Sequence, residues 1–384
     1  MRNNFLPALL LLVISCSGNS TNQTAVLDNS TTSLGYLEVP EGFNVEIYAE
    51  GVEGARQMAL GDDGTIYVGT RRTGENGKVY AVIDADNDYK ADEVTTIASG
   101  LRMPNGVAYH NGDLYVAEVS NIWRFDDIAQ TYNQSPKPVL IRDDFPTESS
   151  HGWKYIAFGP DNKLYVPVGA PCNVCNHEDD NPIYATLTRM NADGSDREII
   201  ASGIRNTVGF TWHPQTQNLW FTDNGRDWMG DDIPPCELNE ITEEGAHFGF
   251  PYLHGNDIWD PEFGANEDVK NRDFTKPVQE LGPHVAPLGL LFYTGDMFPD
   301  NYKNQALIAE HGSWNRTEKI GYRITLVTFD ENGAPTSYQP FIQGWLQGEE
   351  EIKGRPVAFL QLPDGSVLIS DDHTGTIYRV TYTS

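Results

Sequence analysis

Little in this chain is basic. Its 26 Lys and Arg residues stand against 55 Asp and Glu, for a formal net charge of −29 over 384 residues. Such a surface repels nucleic acid and anionic lipid headgroups alike. The acidic excess reads as solubility, with some carboxylates neutralised by bound cations. Cysteine is scarce too, at positions 16, 172, 175 and 236. Cys172-Asn173-Val174-Cys175 lacks the second ligand pair that would make a zinc site convincing, and no Cys-x-x-Cys-His occurs to attach a haem covalently. The apolar run Phe5–Ile14 is too short to span a bilayer as a mature helix. No stretch of about twelve residues combines helical spacing with caps, so the chain reads as all-β.

At the N-terminus stands an export signal: Arg2, the apolar run with Pro7 inside it, then Ser15-Cys16. Val13-Ile14-Ser15-Cys16 resembles the lipobox of bacterial lipoproteins, in which the cysteine thiol is diacylated and becomes residue one. The alternative is an ordinary cleaved signal with a chance cysteine. Residues 1–15 are thus expected to be removed and Cys16 to carry a lipid. Residues 16–36, rich in Ser, Thr, Asn and Gly, read as a flexible tether. Residues 37–384 form one globular body outside the cytoplasm, on the periplasmic face or outer membrane. Loss of the signal brings the net charge to −30. Three cysteines then remain in an oxidising compartment; either Cys172 closes a tight bridge to Cys175, or one of the two pairs with Cys236.

Turns, by contrast, are abundant and periodic. Six segments repeat one pattern: an apolar residue, a turn rich in Gly, Pro, Asp and Asn, then an alternating strand ending in small or acidic residues. They open at Leu60, Tyr109, Phe158, Trp212, Phe298 and Leu362, separated by 49, 49, 54, 86 and 64 residues. Units of this length hold several short strands that cannot bury both faces alone, which predicts a six-bladed β-propeller. Alternation at Phe43–Tyr48 and Gly375–Val380 predicts a blade shared by both ends of the chain. The excess between the fourth and fifth copies, about Asn256 to Pro287, reads as a long rim loop. Asp84-Ala85-Asp86-Asn87-Asp88, with Asp92 after it, has the alternating acids of a calcium loop, and equally the look of a solvated acidic turn.

Four segments beside the repeat strands contain groups that a solvated turn does not need. Ser149-Ser150-His151-Gly152-Trp153 precedes the third copy and Gly203-Ile204-Arg205-Asn206-Thr207 the fourth. Asp223-Asn224-Gly225-Arg226-Asp227 follows the fourth, and Gly354-Arg355-Pro356 precedes the sixth. A lone histidine is more often structural, but His151 before an innermost strand stands at a channel mouth, where a neutral imidazole accepts protons. Arg205 beside Asn206 either braces neighbouring loops or orients a planar, multiply anionic ligand. Gly225 lets the backbone come close to a ligand or metal, or simply makes a turn.

The segments GIRNTVGFTWHPQTQNLWFTDNGRDWMGDDIPPCELNEI, HFGFPYLHG, AEHGSWNRTEKIGYRI and GRPVAFLQLPDGSVLISDD resemble the glucose/sorbosone dehydrogenase family, soluble pyrroloquinoline quinone (PQQ) enzymes on six-bladed propellers. The likeness runs from about Gly42 to Tyr382. It implies that His151 is the general base on a sugar or polyol hydroxyl while hydride passes to PQQ, and that Arg205 stabilises negative charge on the quinone oxygen. It further implies that Asn206, Asn224 and, more weakly, Asn105 sit by the cofactor. Arg355 would pair with its carboxylates, and Arg316 or Lys319 would stand for the family's cofactor-binding lysine. The carbonyls of Gly225 and Arg226, with Glu237 nearby, would hold calcium. Where the glucose enzymes carry an acid just before the base, this chain has Ser150.

Alcohol oxidation needs a base for the O–H proton and an electron sink that no side chain supplies, so a cofactor is required. The favoured reading is a lipid-anchored, PQQ- and calcium-dependent aldose, sorbosone-like sugar or polyol dehydrogenase that passes electrons to an extracytoplasmic quinone or separate cytochrome. A calcium-dependent sugar lactonase would need clustered carboxylates around a metal. A non-catalytic glycan- or protein-binding propeller is the third reading, since fold does not fix function. Tryptophans permit sugar stacking, although Trp212 and Trp220 belong to the repeats and read as blade core.

Overall fold

The computed structural model describes residues 34–383 and the two-residue strand Ala25–Val26. The signal at 1–15, the lipid-anchor residue Cys16 and most of the tether lie outside the described residues. The body is a ring of six sheets, antiparallel except where Ala246–His247 adds in parallel to Glu198–Ser202 at the edge of the third. Their innermost strands are Ala55–Leu60, Gly106–His110, Ala157–Phe158, Phe210–Trp212, Pro287–Phe292 and Pro356–Gln361. Each repeat read from the sequence is the turn from an innermost strand into the second strand of the same blade. Five of these six second strands, Ile66–Thr70 and Val367–Asp371 among them, are buried from end to end.

The core lies between blades. One cluster joins Tyr165 and Leu187 of the third blade to Phe210 and Phe221 of the fourth, and another joins Trp220 and Leu238 of the fourth to Leu290 and Ala306 of the fifth. Such interfaces run all round the ring, so no blade buries its apolar faces alone. Trp220 is core as read, and Trp212 packs against the same type of interface. At the axis the innermost strands come so close that side chains are excluded. A Cβ on Gly209 would lie 1.9 Å from the Leu288 carbonyl oxygen, and one on Gly289 2.6 Å from that of Val357.

The ring closes as the two terminal patterns predict: Phe43–Ala49 pairs antiparallel with Thr376–Tyr382 as the outer strand of the last blade. Two details differ from the sequence reading. Leu34 and Tyr36 pack on the core between the fifth and sixth blades, so the ordered body begins inside the stretch read as tether. The long rim loop is only partly a loop. It contains the strand Ile258–Trp259, which pairs with Leu253–His254 just ahead of it, the short helix Glu267–Lys270, and Gln279–Pro283, which is the outer strand of the fourth blade. An outer strand has one unpaired edge and so tolerates the Gly282-Pro283 that disguises it.

Candidate active site at the hub

Antiparallel pairing explains why the four sequence segments meet. In each blade the start of the innermost strand lies opposite the end of the second, as Pro356 does with Asp371, Pro287 with Glu310 and Ala55 with Thr70. Residues before one strand and after the other therefore share a rim. There a cavity of about 530 Å³ is lined by His151, Arg205, Asn206, Asn224, Gly225 and Arg355, which the sequence singled out. Arg56, Arg71, Trp228, His284, His311 and Trp314, which it did not, complete much of the wall. The volume suits a small organic ligand.

Four guanidinium groups face this space, and two carboxylates answer them. Asp372 pairs with Arg56 at 2.7 Å and Arg71 at 3.2 Å and also meets His311 Nε2 at 2.8 Å. These positive neighbours hold its carboxyl well below the usual range. Arg205 pairs with Asp227 at 3.1 Å, while its Nε and Nη2 donate to the Asn173 carbonyl and side-chain oxygens. Arg355 has no carboxylate partner among the described residues; its Nε and Nη2 donate to the His311 and Gly312 carbonyls at 3.0 and 2.8 Å. The wall therefore carries more guanidinium groups than carboxylates that ion-pair with them, with Asp223 and Asp371 behind it accepting from Arg205 and Arg355 only through their backbone N–H groups. Two buried polar atoms on it, Asn206 Oδ1 and Trp153 Nε1, also lack partners among the described residues. Each would cost about 1–3 kcal/mol if left unpaired. A planar ligand with several carboxylates fits these donors and this charge.

His151 sits with φ of 49°, and its Nδ1 lies 2.7 Å from the Ala170 carbonyl oxygen. A carbonyl only accepts, so Nδ1 carries the proton and Nε2 keeps a free lone pair. Burial, and then the charge of Arg205, push the imidazole down to about 3. With Ser150 rather than an acid beside it, sequence alone would leave this imidazole at the ordinary histidine value of about 6.5; burial takes it lower. Gly169 makes room for the ring, since a Cβ there would stand 2.6 Å from the His151 Cβ.

Other predicted residues are placed elsewhere. Asn105 is buried off the cavity wall, its Nδ2 donating to the Lys154 carbonyl at 2.6 Å across two blades. Arg316 binds the Asp231 carbonyl and Asp232, and Lys319 binds Glu350, so neither reaches the cavity. Arg56 and Arg71 supply the additional cations instead. Arg226 turns its guanidinium to Asp260, which also meets His254. Glu237 lies behind the wall, opposite Asp223 in the strand ladder. It accepts from the Gly255 N–H at 2.7 Å and from Asn239 Nδ2 at 3.0 Å. Burial raises both carboxyls, and the charge of Asp223 raises Glu237 further.

Asp84, Asp86 and Asp88 bring oxygens within 4.8 Å of one another on an outer turn of the first blade, far in the fold from the hub. Asp92 instead accepts from the Ala85 N–H at 2.7 Å. Cys172 is bridged to Cys175, and Cys236 is a free, buried thiol on the cavity wall.

A six-bladed propeller with a cationic hub cavity and a neutral histidine on its wall defines the class. Within it, the chain belongs to the family described as Domain of unknown function (DUF7133), which matches residues 29–380. An uncharacterized protein of Borreliella burgdorferi is 36% identical over 394 residues, covering 100% of this chain and 99% of its own. Among solved structures, the Family AA12 protein of Trichoderma reesei, in its iodide form, superposes with a TM-score of 0.76 at 20% identity over 93% of this chain and 100% of its own. The holo PQQ domain of the Coprinopsis cinerea pyranose dehydrogenase gives 0.74 at 18% identity over 90% and 97%. The propeller fold is thus shared with PQQ-dependent sugar dehydrogenases.

Proposed function

We propose that the protein is a PQQ- and calcium-dependent dehydrogenase of an aldose, sorbosone-like sugar or polyol. The observation that carries this reading is the surplus of guanidinium over carboxylate in a cavity that also presents the free Nε2 of His151. PQQ, when bound, supplies the electron sink that an alcohol oxidation requires. Arg355 and Arg56 would hold its carboxylates, and Arg205, braced by Asn173 and Asp227, would help to hold and orient it. His151 Nε2 takes the hydroxyl proton, with Nδ1 fixed by Ala170. Gly225 cannot carry a side chain, because a Cβ would meet the Pro235 carbonyl at 2.7 Å, which suits a backbone ligand to calcium. A Trichoderma AA12 relative has been solved with calcium. A second calcium ion belongs to Asp84, Asp86 and Asp88.

A lactonase reading is disfavoured: among the described residues, the group of three acids close enough to share an ion is on the outer turn, not at the hub. The anchor at Cys16, export and an extracytoplasmic electron acceptor complete the proposal. Its test is to add PQQ and calcium to purified apoprotein, record the bound-cofactor spectrum, then follow single-turnover bleaching by a panel of aldoses and polyols. Binding without reduction by any of them would leave only the non-catalytic glycan-binding reading.

A further inference from the structure

Among the described residues few large apolar side chains are exposed, and two of them are neighbours at the cavity mouth. Trp228 is 69% exposed and Trp314 66%, yet both line the cavity. Their ring centroids are 5.4 Å apart at an interplanar angle of 87°, an edge-to-face pair that leaves indole faces open.

The surrounding loops are built to hold them. Trp228 has φ of 70°, a left-handed conformation that a bulky side chain adopts only when its surroundings impose it. The preceding Asp227 accepts from Asn315 Nδ2 at 2.8 Å and from Arg205 at 3.1 Å, and its N–H donates to Asn173 at 2.7 Å. Two residues beyond Trp228, the Gly230 carbonyl lies 2.7 Å from His284 Nε2. On the other loop, Ser313 donates its N–H to Ile320 and its carbonyl accepts from Tyr322 Oη at 2.6 Å. Exposing two indoles is unfavourable in water, and fixing them there serves a partner.

We propose that Trp228 and Trp314 form a second subsite, which takes the neighbouring pyranose ring of a neutral oligosaccharide while its terminal ring enters the cavity. The assignment of the inner ring rests on the dehydrogenase reading; the outer subsite does not. A pyranose presents an apolar C–H face to an indole and hydroxyl donors at its edge. The same loop offers acceptors in the half-buried carboxylate of Asp231, which takes the Thr317 N–H, and the exposed carboxylate of Asp232, which pairs with Arg316. A quinone has only acceptors to set against those carboxylates, whereas a neutral sugar brings the hydroxyl donors they can accept from.

The test separates this subsite from the chemistry. Apoprotein, without PQQ, is titrated calorimetrically with cellotriose, maltotriose, glucose and ubiquinone-1, using wild type, Trp228→Ala, Trp314→Ala and Trp228→Tyr. The expected result is that at least one trisaccharide binds tenfold or more tighter than glucose, that either alanine variant removes most of this advantage, and that tyrosine restores part of it. Wild type binding trisaccharides no tighter than glucose, or alanine variants of unchanged preference, would overturn the subsite, as would ubiquinone-1 binding lost in the variants with trisaccharide binding intact. If trisaccharide binding depends on the tryptophans but no sugar ever reduces bound PQQ, the subsite stands and the dehydrogenase reading falls.

Discussion

His151 donates its Nδ1 proton to the Ala170 carbonyl across 2.7 Å, so the imidazole reaches the cavity already in the tautomer a base requires. Replacing His151 with Ala should retain PQQ binding and slow cofactor reduction by about a hundred- to ten-thousandfold, the usual contribution of a positioned base. Equal single-turnover rates in wild type and variant would make His151 structural.

The same residue sets a pH dependence. In the folded apoprotein His151 titrates near 3 and His311 near 4, both pushed down first by burial, whereas unfolded histidine titrates near 6.5. Between those values the unfolded chain binds more protons, so stability is full above about pH 6.5 and falls as pH drops toward 3. NMR of the imidazole carbons should show His151 neutral at pH 5, and thermal unfolding of His151→Gln should depend less on pH in this window. An inflection of His151 near 6.5 would contradict the structure.

Arg355 and Arg316 separate a cavity cation from a rim cation. Arg355→Ala should weaken PQQ by about 1.5–3 kcal/mol, roughly ten- to a hundredfold. Arg316→Ala should leave PQQ affinity within about twofold, because its side chain is spent on Asp231 and Asp232. Equilibrium titration of both variants decides the assignment.

Gly169→Ala is a probe of geometry without any change of charge. The added methyl would press on the Cβ of His151 at 2.6 Å and its carbonyl oxygen at 2.8 Å. The expected outcome is a folded protein that binds PQQ but reduces it at least tenfold more slowly. A full rate would show that His151 has freedom the packing denies it.

Calcium should raise the unfolding temperature of the apoprotein at low ionic strength, since it relieves repulsion among Asp84, Asp86 and Asp88. Asp86→Asn should remove most of that shift without altering PQQ affinity. An identical calcium response in the variant would return this turn to ordinary solvated status.

Much of the ring was legible because its information is local. Each blade writes a turn and an alternating strand into about ten consecutive residues, and the match of Phe43–Tyr48 to the C-terminal strand needed only alternation. The hub was legible where a residue sits in a distinctive motif, as His151, Arg205, Asn206 and Arg355 do. Arg56 was missed because the first repeat was read from Leu60 onward, although Gly54-Ala55-Arg56 repeats the Gly-then-Arg spacing of Gly203-Ile204-Arg205. Arg316 and Lys319 were candidates because either could match the cofactor-binding lysine of the family the chain resembles, and such a match does not reveal that Asp232 and Glu350 wait on neighbouring loops. The depressed basicity of His151 comes from burial and from Arg205, a residue from a different blade, which no reading of Ser150 could supply. Gln279–Pro283 was hidden because edge strands tolerate turn-forming residues.

The pairing of Asp372 with the first blade also carries a timetable. Arg71 precedes Asp372 by 301 residues, so during synthesis it and Arg56 emerge long before the carboxylate that neutralises them. The strand Thr376–Tyr382, which locks Phe43–Ala49 into the ring, comes later still. A chain without its last residues therefore leaves those cations unpaired and the ring open, and the cavity is complete only when both ends of the sequence are in place. Whatever occupies that cavity is taken up by a finished ring, never by a growing one.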